Sequence, residues 1–165
     1  MNQTQKKIRK IALSFLDERE LDNNSGFEVP KFQQLMEMVG WRKWQAWCAY
    51  FAELVWQQAG QESATFSGSA VQTFRNFDEL GRTSQLPEVG DVVIWQNYGD
   101  GKPKWTGHAG IVVLVKGKYI VTVEGNTNGN GGREGIEVAM KLRDITLIPR
   151  DGIRVMGFIK PKEIL

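Results

Sequence analysis

The 165-residue chain carries 21 Lys and Arg against 19 Asp and Glu, a net charge of +2, with 41% hydrophobic residues, 18 glycines and a single cysteine. A chain of this length buries about 70 % of its unfolded surface in one core and reads as a single domain over residues 1–165, with a composition that excludes fibre and disorder. The mild charge gives no clustered basic stripe, so nucleic acid is not expected as a partner; one cysteine excludes an internal disulfide; and no apolar run approaches the ~18 residues of a membrane span.

Residues 4–19 place Ile8, Ile11, Ala12, Phe15 and Leu16 on one face, with Lys6, Lys7, Arg9, Lys10, Asp17 and Glu18 mostly elsewhere, which predicts an amphipathic helix capping a core. The same N-terminal stretch has charges throughout and no apolar segment ending in small residues, so it does not read as a secretory signal. The turn-rich Asp22-Asn23-Asn24-Ser25-Gly26 breaks the chain. A second helix is expected from Pro30, whose fixed φ suits a first helical position, to a stop at Gly40. A third covers residues 45–60, with Cys48, Phe51, Ala52, Val55 and Ala59 stepping by three and four. Ser67 or Ser69 caps a short helix holding Val71, Phe74 and Phe77.

Residues 81–90 read as a loop, and from Asp91 the period changes from helical to extended. Strands are expected at 92–95, 108–115, 118–124, 135–142 and 153–159, each rich in β-branched residues and bounded by glycine, with Lys116-Gly117 as a tight hairpin turn. Helices first and strands afterward predict an α+β domain, N-terminal helices packed on an antiparallel sheet of about five to six strands. The polar loop at 125–132, GNTNGNGG, lacks the Gly-Lys-Ser/Thr ending of a phosphate loop and reads as a mobile segment beside a site. There is no CxxC or HExxH, and one cysteine with one histidine cannot build a zinc cage, so no structural metal is expected.

Cysteine hydrolysis needs a thiolate, an imidazole to take and return its proton, and a polar side chain to orient that imidazole. Cys48 stands at a helix start, where the dipole favours thiolate, although free cysteine is also among the most buried residue types. His108 is the sole histidine and opens the strand HAGIVVLV. If the hairpin forms, Glu124, or Asn126 just past it, returns beside His108. The backbone N–H of Cys48 is a natural oxyanion donor, and Gln45 is a candidate second. All six tryptophans lie near these residues in sequence. Trp47 beside the cysteine and Trp105 beside the histidine are candidates for stacking sugars or peptide stems, against the alternative that such aromatics fill the core.

WCAYF around Cys48, Gly90-Asp91 before a strand, GHAGIVV around His108 and EGNTN from Glu124 resemble, in that order, the motifs of the CHAP family, the cysteine- and histidine-dependent amidohydrolase/peptidases. The resemblance runs from about Asn24 to Phe158. It implies a papain-like α+β fold and hydrolysis of an amide bond in peptidoglycan, either an N-acetylmuramoyl-L-alanine amidase or an endopeptidase of the peptide stem or cross-bridge. Carried over, Cys48 is the nucleophile, His108 the general base and then acid, Glu124 the orienting residue and Asn126 the fourth member. NNSG at residues 23–26 resembles the lead-in of a CHAP subgroup and marks Asn24 as a candidate substrate contact. The related NlpC-type hydrolases usually carry a second histidine, which this chain lacks.

No cofactor is implied, and Asp22-Asn23-Asn24 is too short and too poor in carboxylates for the calcium loop of some members. A monomer is expected, made in the cytoplasm and acting on the cell wall after phage lysis or dedicated export. The alternative is a wall-binding or phage structural module that keeps the fold without turnover.

Overall fold

The computed structural model describes residues 1–127 and 135–164; much of the predicted loop at 125–132 lies outside them. Four helices precede the main strands: α1 (Gln3–Ser14), α2 (Pro30–Met38), α3 (Cys48–Gln58) and α4 (Ala70–Glu79). The strands are β1 (Thr83–Ser84), β2 (Val92–Gly99), β3 (Lys102–Lys116), β4 (Tyr119–Thr127), β5 (Glu137–Asp144) and β6 (Gly152–Ile159). They form one six-stranded sheet in the order β1-β6-β2-β3-β4-β5, every pairing antiparallel. The fold is α+β and papain-like, as the resemblance implied.

α1 is shorter than the expected 4–19. Its N-terminus is closed by a capping box between Asn2 and Gln5. Its continuation stops because Asp17 takes a left-handed φ of 72° and the backbone turns to pair with β5: Asp17 N–H donates to Val138 O, and Glu20 N–H to Ile136 O. Phe15 and Leu16 still pack on the core, so the apolar pattern was right about burial and wrong about helix length. Ser69, not Ser67, caps α4, accepting from Gln72 N–H at 3.2 Å.

α3 is the central helix. Phe51, Ala52, Leu54, Val55 and Trp56 are wholly buried, each large side chain contributing roughly 1.5–3 kcal/mol of transfer free energy. The Trp56 indole N–H donates to Gly90 O at 3.1 Å, tying α3 to the turn before β2. The helix-facing side of the sheet supplies Val92, Ile94, Ile111, Val113, Val123 and Val138 to this core. Alternation along the strands sends Val93, Trp95, Val112, Ile120 and Phe158 to the other face, where Ile145, Ile153 and Val155 pack against them.

Two strand readings change. β3 begins at Lys102 rather than His108, because β2 and β3 form a long hairpin through Asp100 and Gly101, both at positive φ. Its exposed Lys102-Pro103-Lys104 carries no apolar alternation. Thr83–Ser84, inside the expected loop, adds a short edge strand on β6. The β3–β4 hairpin turns at Gly117-Lys118, with Lys116 opposite Tyr119 and Gly117 at φ 59°.

Candidate active site

The β3–β4 ladder runs from Lys116–Tyr119 to Ile111–Val123, after which β3 stays with β2 and β4 with β5. The first turn of α3 meets this parting of strands. Gly125 lies so close to α3 that a Cβ there would come within 2.6 Å of Trp47 and 2.7 Å of Phe51. Cys48 is 8% exposed at the start of α3. Trp47 takes the N-cap position without a side-chain cap, so the first-turn N–H groups remain free for the sulfur and for a substrate oxygen. The thiol sulfur is placed to interact with the imidazole of His108 and with the backbone N–H groups of Ala109 and Ala49, all of which favour its ionised form.

His108 does not open its strand; it lies within β3, opposite Trp95 of β2. The two rings stack at 5.7 Å and 27°. Its Nε2 lies 2.7 Å from Glu124 Oε2, and since an ionised carboxylate only accepts, the N–H donates there. Glu124 is wholly buried, and it also accepts from Thr122 Oγ1 at 2.6 Å, Arg143 Nε at 2.8 Å and Arg143 Nη2 at 2.6 Å. Gly110 opposite leaves room for it: a Cβ there would meet Glu124 Cγ at 2.8 Å.

The electrostatics follow from these contacts. Burial pushes the Cys48 thiol up, but its hydrogen bond and charge interaction with His108, with help from the two backbone N–H groups, bring it below the ordinary thiol value. Burial alone would lower His108; the Glu124 charge and the Cys48 contact outweigh it and raise the imidazole well above its usual range. Burial would raise Glu124, yet His108 and Arg143 hold it well below the usual carboxylate range. All three shifts favour a thiolate–imidazolium pair beside an ionised carboxylate.

A cleft of about 400 Å³ opens over this group, with Cys48, His108, Asn126, Gln45, Tyr50 and Trp105 among its lining. Asn126, at φ 55°, is buried at the cleft wall, while Glu124 takes the imidazole nitrogen. Gln45 is exposed; its side-chain oxygen accepts from Arg42 N–H at 2.8 Å, which leaves its amide N–H groups as donors. Trp105 is 82% exposed at the rim.

Two residues expected as substrate contacts, Trp47 and Asn24, are not among those lining the cleft. Trp47 is wholly buried, its indole N–H donating to Glu20 Oε2 at 3.0 Å, and it belongs to the aromatic core with Phe27 and Phe51. Asn24 is half-buried, outside the cleft lining, with its carbonyl accepting from Trp44 N–H at 2.7 Å. Of the six tryptophans, only Trp44 and Trp105 are exposed.

Arg143 and Thr122 were missed, and Trp95 was read only as near the histidine in sequence, without its stacking on the ring. Thr122 lies two residues before Glu124, and strand alternation alone puts both on one face. Trp95 follows from the β2–β3 register. Arg143 gives no comparable signal.

The CHAP domain family model matches residues 39–126, just over half of the chain, from the end of α2 to the cleft asparagine. The chain belongs to the CHAP family. Nothing matches among curated proteins or solved structures. Membership places the chain among hydrolases of the amidase and peptidase type directed at peptidoglycan. The CHAP match encloses Cys48, His108, Glu124 and Asn126 and stops short of Arg143. Among the described residues, no three His, Cys, Asp or Glu side chains converge as a metal site, and no helix is long and apolar enough to cross a membrane.

Proposed function

We propose that the protein hydrolyses an amide bond of peptidoglycan with Cys48 as nucleophile, His108 as general base and acid, and Glu124 as the residue that orients the imidazole. The observation that carries this reading is an imidazole that interacts with the thiol and is hydrogen-bonded at 2.7 Å to a buried carboxylate, with thiol and imidazole lining one open cleft. The Cys48 thiolate attacks the amide carbonyl carbon, and the oxyanion faces the Cys48 N–H and the Gln45 amide. Collapse breaks the C–N bond; the leaving amine takes the proton from His108, and a thioester remains on Cys48. Water then gives a proton to His108 and its oxygen to the carbonyl, and the thiolate departs from the carboxylic acid product. Glu124 keeps the proton of the neutral imidazole on Nε2 and stabilises the imidazolium. Trp105 offers a stacking face for a sugar or peptide stem at the rim, and Asn126 completes the wall next to the histidine.

The protein acts in this reading as a monomeric phage lysin or exported effector, cutting either the muramoyl–L-alanine amide or a bond in the stem or cross-bridge. A wall-binding module without turnover, the other reading, would have no use for a buried, fully partnered carboxylate behind its only cysteine and histidine. The test is mass spectrometry of fragments released from purified peptidoglycans of several chemotypes, with Cys48→Ala as control. New amine and carboxylate termini at one bond are expected from the wild type alone; binding without fragments would establish the module instead.

A further inference from the structure

The carboxylate behind the imidazole has a second anchor. Arg143 on β5 reaches Glu124 with two nitrogens on two oxygens, Nε to Oε1 at 2.8 Å and Nη2 to Oε2 at 2.6 Å, the planar fork that lysine cannot reproduce. Its guanidinium also lies over the indole of Trp95, 5.1 Å from the ring centroid, and that indole stacks on His108. The guanidinium thus contacts the carboxylate directly and braces the imidazole through the indole.

We propose that Arg143 is a positioning residue of this site, a fixed cation that holds Glu124 ionised and turned toward His108. The inference rests on the cysteine-hydrolase reading above. Its physical basis is charge balance in a buried cluster. The charged or titratable groups that face one another are Cys48 on α3, His108 on β3, Glu124 on β4 and Arg143 on β5, with β2 supplying the uncharged Trp95. Thiolate, imidazolium, carboxylate and guanidinium sum to zero. Without Arg143 the same cluster carries a surplus negative charge out of water, which a buried site tolerates poorly. The thiolate is then harder to form, and Glu124 loses two of its four hydrogen bonds and with them its fixed rotamer.

The experiment compares Arg143→Met and Arg143→Lys, each alone and on a Glu124→Gln background, by the pH dependence of Cys48 alkylation with iodoacetamide, by kcat and KM on purified peptidoglycan, and by thermal unfolding. Arg143→Met is expected to move the alkylation midpoint up by about one pH unit, a tenfold loss of thiolate on that limb. It should lower kcat at least ~10-fold with KM little changed, and add less than ~3-fold when Glu124 is already Gln. Arg143→Lys, which keeps the charge and loses the fork, should fall between, and it decides the matter if the Met variant does not fold. A lower unfolding temperature with unchanged alkylation profile and kcat would overturn the proposal, as would an equal kcat loss on the Glu124→Gln background. A wild-type profile matching an ordinary thiol would instead sink the cysteine reading beneath it, before any variant is made.

Discussion

Glu124 and Asn126 stand two residues apart, and their surroundings assign them unequal work. Glu124 faces the imidazole at 2.7 Å and is itself fixed by Thr122 and Arg143, whereas Asn126 lies on the cleft wall. A carboxylate both orients the ring and stabilises the imidazolium; an amide only orients. Loss of the corresponding carboxylate in serine enzymes costs about 10⁴ in turnover, and a thiol, being more acidic, depends on it less, so Glu124→Ala is expected to lower the initial lysis rate roughly 10²- to 10³-fold, and Asn126→Ala by less. A larger loss for Asn126→Ala, at equal folding by circular dichroism, would reverse the assignment. The lowered Cys48 and raised His108 also predict a pH window. Thiolate appears below the ordinary thiol pKa of about 8.5, and the thiolate–imidazolium pair persists until the imidazolium deprotonates above its usual range. Alkylation of Cys48 by iodoacetamide should therefore stay fast on the acid side of that value, and His108→Ala, which leaves burial opposed only by the backbone N–H groups, should slow it and move its profile up to that of a free thiol or beyond.

Among the elements, α3 sets the site and also carries a buried acid that the chemistry does not use. Glu53 is 8% exposed; burial, only partly offset by a hydrogen bond from Ser63, raises its carboxyl to about 7. Because the folded value lies above the unfolded one, this group's contribution to stability is intact below about pH 4.3 and is lost as pH rises through about 7. Glu53→Gln should accordingly gain stability relative to wild type between pH 5 and pH 8 in urea unfolding; an equal difference at both would show that Glu53 is not the source. The contact of β4 with α3 makes a second prediction. Gly125→Ala forces a methyl into Trp47 and Phe51, at a cost of about 1–3 kcal/mol, and displaces the strand that carries Glu124. Gly117→Ala meets only its own φ of 59° in open space, costing about 1 kcal/mol. Thermal unfolding should rank Gly125→Ala below Gly117→Ala, and lysis at a temperature where both are folded should fall for Gly125→Ala alone.

At the scale of the whole molecule, what a sequence can disclose follows from which interactions are local. The step of three and four through Cys48, Phe51 and Val55 is a property of one helix, and the Lys116–Tyr119 turn is a property of one hairpin; both were legible, and together they bring Cys48, His108 and Glu124 into one neighbourhood. Arg143 was not, because its meaning depends on the β4–β5 register, and a single arginine in the alternating EVAMKLRD looks like any solvent-facing residue. Trp47 misled for a related reason: nearness to Cys48 in sequence says nothing about which side of the N-cap faces the core. The start of β3 was hidden because Lys102-Pro103-Lys104 extends a hairpin beyond the body of the protein, where no burial pattern marks it.

The recessed position of Cys48 also bears on how the protein ages in air. Two copies cannot bring sulfurs at the floors of their clefts to the ~2 Å of a disulfide bond, and the chain has no other cysteine to resolve an oxidised one. Small oxidants still reach a thiolate there, and the sulfenic acid they form is free to climb to sulfinic and sulfonic acid. Peroxide treatment should therefore abolish lysis through added oxygen atoms on a monomer of otherwise unchanged mass, with activity returned by reductant only at the earliest times; a covalent dimer on a non-reducing gel would show instead that the cleft opens far enough for two molecules to meet.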